Sequence, residues 1–494
     1  MTTLKDPNQN PWYILMTLHG EQTGDEIDWV LHEKNRKLWN AWACQEMSAA
    51  ERANLEMFTN EEIAETGWNS DIASAVERQF KTEFEKRNPN ESVVPALPHP
   101  TTAIDLTRVT FGCRIVLRRA IFTQEVFLSK SVFKYECNFS RTQFAESLNA
   151  TELVMVSPAD FSGVLFCQDA DFSRAQFKQR VEFKRSNFER TADFNNAIFA
   201  GVANFYRANF SREANFIDAT FEGNADFNDI EVLPKLDEPR ATFGFQTDFS
   251  GAYFGKQVGF RWRNFSSHGD GSAKLSFAYA VFDGSVSFEN ASFSKLMPDL
   301  TNCLLPQSTN ISVEAENWPI LRPNWLTRLE IWLRLRKKID YSKQCPKEIK
   351  ASSARLRHAM AKQMLPEEEH FFFRREMWAA ARSGKILPRI PILSFEFLSD
   401  YGYSISRPLG WLLCLWLIGI FVYAGRTTMG WWDAAAYSFA AMFKIFGFQR
   451  LYFGEHYINA LPVWIRVFGA TQTVLGFILL FFLGLGLRTR FRLR

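Results

Sequence analysis

No two cysteines of this 494-residue chain form a C-x-x-C pair; the seven present, Cys44, Cys113, Cys137, Cys167, Cys303, Cys345 and Cys414, are scattered. That spacing excludes a zinc ribbon and a disulfide framework, and reads as reduced, mostly buried thiols in a cytosolic setting. Charge of one sign is missing too: 57 Lys and Arg face 54 Asp and Glu. A dedicated nucleic-acid binder carries a basic surplus, so nucleic acid is not an expected partner. The chain has no nucleophile elbow, no phosphate-binding Gly loop and no HExxH, and His358, Glu369 and His370 lack paired-ligand spacing. No enzyme activity, cofactor or metal is therefore expected. The start, "MTTLKDPNQNPWYIL", lacks a basic region followed by a long apolar run, so no cleavable signal peptide is expected.

What the chain does have is Phe: 48, against 12 Tyr and 15 Trp. They keep a fixed rhythm. "ADFSRAQFKQR VEFKRSNFERT ADFNNAIFAGV ANFYRANFSRE" shows blocks of eleven residues in which Phe recurs at alternating steps of five and six, from Phe161 to Phe227. Carried backwards, the same ruler lands on Met155, Ala150, Phe144, Phe139, Phe133, Leu128, Phe122, Leu117, Phe111 and Leu106, all apolar. It slips at "VLPKLDEPRAT", resumes at Phe243, slips again near "HGDGSAK" and closes at Phe293. Neither a helical period of 3.6 nor a strand period of 2 gives five-and-six spacing. A square coil does: each Phe marks one side, four sides take 22 residues, and Phe and the small residue two before it point inward. Leu106 to Phe293 then makes roughly eight coils, stacked at ~4.8 Å.

The blocks "ADFSR", "ADFNN", "ANFYR", "ANFSR" and "ANFID" resemble pentapeptide repeats, A-[D/N]-[L/F]-x-x, over about 190 residues. The resemblance implies a right-handed quadrilateral β-helix. The chain departs from it in preferring Phe to Leu at the centre and in adding a residue to alternate repeats. Some members of that family mimic DNA with an acidic face. Here 24 acidic and 22 basic residues between Thr101 and Asp299 are too balanced for that.

Composition divides the chain into four. Residues 1–100 hold "DEIDWVLHEKNRKLWNAWACQEM", "SAAERANLEMF" and "DIASAVERQFKTEFEKR", with helical spacing, and read as a helical N-terminal cap. Residues 101–299 are the β-helix. Residues 300–400 form a helical linker: "NWLTRLEIWLRLRKKI", then "KEIKASSARLRHAMAKQML" and a helix starting at Pro366 and stopping at Gly384, the last two paired as an αα-hairpin. Residues 401–494 hold two uncharged stretches, Pro408–Gly425 and Val467–Leu487, each bracketed by Arg and long enough to cross a bilayer. The tail "RTRFRLR" places the C-terminus, and with two crossings the N-terminal part, in the cytoplasm.

Between the crossings, Asp433 is an expected N-cap for an Ala-rich helix that Gly447 breaks. Crossing, short helix, breaker, crossing is similar to the two-transmembrane pore-loop channels. In that family backbone carbonyls of T-x-G-Y-G strip an ion of water. The matching stretch is Lys444, Ile445, Phe446, Gly447, Phe448, Gln449 and Arg450. Gln449 replaces the second glycine, Arg450 the acid, and Lys444 and Ile445 the hydroxyl positions, so the filter is degenerate and repels K⁺. The strings "FFFRREM", "SDYGYSISRPL" and "GFILLFFLGLGLRTR" further resemble a bacterial group in which pentapeptide repeats precede a channel-like helix pair. Expected, then, is a multi-pass protein of a bacterial inner membrane, acting as a cytoplasmic scaffold or sensor on an oligomeric, channel-like membrane domain. The alternative is an ion channel that is anion-preferring or non-selective, gated by the solenoid. The expected partners are the lipid bilayer, further copies of the chain in a tetramer, and a protein bound to the solenoid or the cap.

Overall fold

In the computed structural model each eleven-residue block makes two short strands and two corners, as in Ala170–Asp171 and Gln176–Phe177. The structure describes residues 4–48, 52, 68–228, 246–261, 274–293, 296–311, 313–314, 317–319, 321, 344–383 and 386–492. They form two units, Met1–Arg355 and Leu356–Arg494.

The first unit is a β-solenoid of about eight turns. Its strands line up in four parallel sheets with eight, eight, nine and five strands among the described residues. Every partner lies one coil away: Ile104 pairs with Val126, Ala170 with Ala192, Phe177 with Phe199 and Phe188 with Phe210, each 22 residues on. Later the separation changes. Glu213 pairs with Gln246 and Gln246 with Lys274, separations of 33 and 28 residues. Both insertions follow a strand of the nine-stranded sheet (Ala225–Asp226, Val258–Gly259) and precede one of the same eight-stranded sheet. Both longer spacings thus fall between the same two sheets, and among the described residues the five-stranded sheet runs as far as Asn209–Phe210. The two slips themselves lie outside the described residues.

The interior is a lattice of rings. Phe183, Phe205 and Phe227 stack face to face at 4.9 and 4.8 Å, with planes within 6° and 2°. Neighbouring columns meet edge to face, as Phe194 and Phe205 do at 5.5 Å and 86°. Offset stacks and T-shaped pairs are the geometries that the ring quadrupole favours, worth ~0.5–1.5 kcal/mol each beyond burial.

The corners explain the remaining letters of the repeat. After Phe172 the Ala175 N–H donates to the Phe172 carbonyl at 3.0 Å, closing a β-turn. The third residue of that turn, Arg174, sits at φ 56°. The same left-handed position recurs every eleven residues, at Arg108, Arg119, Lys130, Arg141, Glu152, Gly163, Arg174, Arg185, Asn196, Arg207 and Asp218. Only Gly takes it freely, so most corners carry a strain that the paired coils must hold. The D or N before each Phe relieves part of the cost: Asp171 Oδ1 accepts the Ser173 N–H and Asp193 Oδ1 the Asn195 N–H, each at 2.8 Å. Stacking acids has a price of its own. Burial, then Asp171 in the coil below, holds the Asp193 carboxyl above its ordinary pKa.

Helices α1 (Pro11–Met16) and α2 (Trp29–Ala43) cover the first coil, and α3 (Ser70–Arg87) packs on α1, with Arg87 bonded to Thr17. Trp39 Nε1 donates to the Ile121 carbonyl at 2.9 Å, Asn40 bonds Arg119 O and Ile121 N, and Lys5 forms a parallel bridge with Val109. Backbone groups that an end coil would otherwise leave open are thus satisfied. "SAAERANLEMF" falls almost wholly outside the described residues. At the other end Gln344 bonds both the N–H and the carbonyl of Met297, and the start of α4 (Pro346–Lys362) brings Ser352 to Leu300 N. "NWLTRLEIWLRLRKKI" also lies outside the described residues.

All seven cysteines are free. Mostly buried, however, is not what is found: Cys44, Cys137 and Cys303 are buried, while Cys345 and Cys414 are exposed. The reason is that only the first three fill inward solenoid or cap positions.

The second unit continues with α5 (Pro366–Arg382), α6 (Ile386–Ser399), α7 (Ser406–Arg426), α8 (Trp431–Met442), α9 (Phe448–Ala460) and α10 (Val463–Arg492). Arg357 Nε meets Glu376 at 2.7 Å across the short link from α4 to α5, and α5 ends at Arg382 with Ser383 as its C-cap; the expected stop, Gly384, lies outside the described residues.

Candidate functional site

The apolar helices α7 and α10 embrace α8, and two glycines decide how closely. A Cβ on Gly419 of α7 would lie 2.1 Å from Ser438 Oγ of α8; one on Gly476 of α10 would lie 2.9 Å from the Met442 carbonyl. Small residues admit such approaches between apolar helices. The contact is polar at its heart. Ser438 Oγ donates to Trp416 O at 2.9 Å, Gln472 Nε2 donates to Ser438 Oγ at 2.8 Å, and Tyr423 OH donates to Gln472 Oε1 at 2.9 Å. Thr473 Oγ1 donates to Ala441 O at 2.7 Å. Buried hydroxyls and amides in apolar surroundings are costly unless paired, so this network pins α8 in one register.

Asp433 is not the N-cap. Gly430 is, and Asp433 lies in the first turn, where its charge still suits the positive helix end. The helix begins three residues earlier than the sequence suggests because Trp431, Trp432 and Asp433 join it, both tryptophans exposed.

The stretch 444–450 is helical on both sides of one hinge. Lys444, Ile445 and Phe446 form a 3₁₀ turn, Gly447 is left-handed at φ 79°, and Phe448, Gln449 and Arg450 open α9. Gly447 N donates to Lys444 O at 3.0 Å and Arg450 N to Gly447 O at 3.1 Å. Carbonyls of this stretch therefore serve the helices. Gln449 turns inward, 4% exposed, and its Nε2 donates to Tyr437 OH at 2.8 Å while Oε1 lacks a partner among the described residues. Arg450 points outward and pairs with Glu455 at 3.2 Å; Lys444 and Phe446 are exposed. α9, kinked at Gly454 (φ 71°), was not foreseen.

The strings "FFFRREM", "SDYGYSISRPL" and "GFILLFFLGLGLRTR" converge at the foot of α7. Arg374 reaches Asp400 at 2.5 Å, Arg407 lies 3.8 Å from the same carboxylate, and Tyr401 OH donates to Glu396 at 2.9 Å. Asp400, Tyr401 and Gly402 are left-handed in succession, at φ 52°, 59° and 80°. A Cβ on Gly402 would lie 2.9 Å from Leu485 of α10. Three such residues in a row make a strained link between α6 and α7, and the ion pairs hold it.

Residues 183–231 match the family model of pentapeptide repeats (9 copies), so the coil built on the Phe ladder consists of pentapeptide repeats. No curated protein and no solved structure matches the chain. The chain thus carries pentapeptide repeats together with two helices, Ser406–Arg426 and Val463–Thr489, long and apolar enough to cross a membrane.

Proposed function

We propose that this protein is a membrane-anchored scaffold, its solenoid presenting a cytoplasmic binding surface and its C-terminal hairpin assembling with further copies. The observation that carries the reading is the outward apolar surface of α7 and α10: only 22% of the apolar stretch in each is buried within the chain. In water that surface needs a cover, and lipid together with other copies provides one. Arg407, Arg426, Arg466 and Arg488 bracket the two stretches, and the Arg-rich end favours a cytoplasmic C-terminus. Exposed Lys444, Phe446, Leu451 and Tyr452 between the crossings support an oligomer, a tetramer by analogy with pore-loop channels, since cations at membrane depth must face protein or water.

Membrane fractions tell whether this holds. Alkaline carbonate leaves an inserted hairpin in the pellet, and labels at the N-terminus and after Arg494 report one side while a label at Glu455 reports the other. Release by carbonate overturns the anchor; opposite termini overturn the topology. A monomer after detergent extraction overturns the assembly.

The short helix between two crossings favours a second reading, a pore of altered selectivity. Against K⁺ selection stand the engaged carbonyls of Lys444 and Gly447 and the exposed Lys444 side chain. Planar bilayers distinguish the readings: the scaffold is silent, whereas a pore passes anions at least as easily as cations and Lys444→Glu moves its reversal potential toward cations.

A further inference from the structure

Beside the foot of α10 the second unit holds an open cleft of about 860 Å³, within the size range of ligand sites. One wall is apolar, made by Phe373 of α5, Phe395 of α6 and Leu485 of α10. The rim is charged: Arg357 of α4, Glu369 of α5, and Arg488 in the last turn of the apolar stretch. Glu376 holds Arg357 by its Nε, and the guanidinium lies over the Phe373 ring at 6.0 Å. Arg488 is exposed and has no ion-pair partner among the described residues.

We propose that this cleft binds the phosphodiester headgroup of a phospholipid, with the phosphate between Arg357 and Arg488 and an acyl chain along Phe395 and Leu485. The inference rests on the membrane reading above and deepens it. Three features carry it. Guanidinium groups match phosphate oxygens in geometry and charge, and one of the two is already fixed by Glu376. The count of charges limits the class: two Arg, with Glu369 beside them and Glu376 holding Arg357, leave no cationic surplus for a polyphosphate, whereas a single phosphodiester needs only the fork of one or two guanidinium groups. The apolar wall sits at the end of a helix of membrane length, where a headgroup and the top of its chain would lie. A free phosphate would leave that wall wet.

The test uses the full chain purified in a neutral detergent. Phosphatidylglycerol is titrated in and bound lipid is counted by native mass spectrometry, with thermal stability followed in parallel. Wild type is expected to retain phosphatidylglycerol saturably and to gain stability. Arg488→Gln, at an exposed site without an ion pair, should fold and bind it about tenfold or more weakly, the loss of one charge-assisted bond. Arg488→Lys should recover part of the binding. Equal retention by wild type and Arg488→Gln overturns the proposal. So does an equal stabilisation by inorganic phosphate alone, which would make this a soluble-anion site, or an unchanged binding of uncharged diacylglycerol. Flotation of both proteins with phosphatidylcholine vesicles reads the anchor separately: if neither floats the membrane reading falls, and if both float with Arg488→Gln binding lipid normally only the cleft is wrong.

Discussion

Phe205 sits at the middle of the ring lattice, fully buried, stacked on Phe183 below and Phe227 above and touched edge-on by Phe194 and Phe216 at 5.5 and 5.6 Å. Phe205→Ala removes all of these contacts at once. Large-to-small changes at such sites cost about 3–5 kcal/mol. The upper part of that range applies here, because the neighbours cannot slide in: each is tied to the next coil by backbone bonds, such as Phe183 N to Asn204 O at 2.7 Å. The next residue, Tyr206, points outward, with Lys184 Nζ 5.1 Å from its ring centroid. Tyr206→Ala loses that cation–π contact, about 0.5–1 kcal/mol. Since coils interact mainly with their neighbours, the damage stays local. Hydrogen exchange measured by mass spectrometry on peptides spanning 183–227 should therefore speed up by roughly three decades or more in Phe205→Ala, at 1.4 kcal/mol per decade, and by less than one decade in Tyr206→Ala. Peptides near 110 should not change. Similar effects from the two substitutions would refute the inward-outward assignment.

The left-handed corner predicts that Gly163→Val loses about 1–2 kcal/mol by thermal denaturation, since a β-branched residue resists φ 65°. Asp193→Asn should raise the melting temperature at pH 7, because the amide still accepts the Asn195 N–H while the repulsion from Asp171 disappears; a lower value contradicts the stacked-acid account. Burial, then Arg374, lowers the pKa of His370, so the unfolded chain takes the proton first and stability should decline as pH falls below about 6.5; His370→Gln should flatten that limb of the melting curve. Gly419→Val should break the α7–α8 contact with Ser438, seen as faster proteolysis between the crossings in detergent.

Much of the solenoid was legible because its period is long and its core residue nearly constant. Phe at steps of five and six fixes four sides per coil, and the observed 22-residue register follows. Three things escaped that reading. Of the eleven left-handed corners six carry Arg and one Gly, so glycine does not mark them; their eleven-residue recurrence does. The Asp or Asn before Phe looks merely polar until its bond to the N–H two residues on is seen. That both longer spacings fall between the same two sheets requires pairing partners, not spacing, to be recognised.

The hairpin was less legible, for a physical reason. Apolar length announces a crossing, but what the segment between two crossings does depends on a few bonds that composition does not encode. Gln449 illustrates this. Aligned with a filter glycine it looks like a side chain spoiling a pore, whereas in the fold it turns inward and donates to Tyr437, so its polarity serves packing within one copy. Gln472 and Ser438 were legible only as polar letters in apolar surroundings, and together they lock α8 between its neighbours. α6 was hidden by Pro391 in its middle, yet its Leu387, Ile390, Leu393 and Phe397 are exposed beside the foot of α7. These residues and the cleft beside them put the chemistry of this unit at the base of the crossings, among Arg357, Arg374, Asp400 and Arg488, where strain, charge and an apolar wall meet.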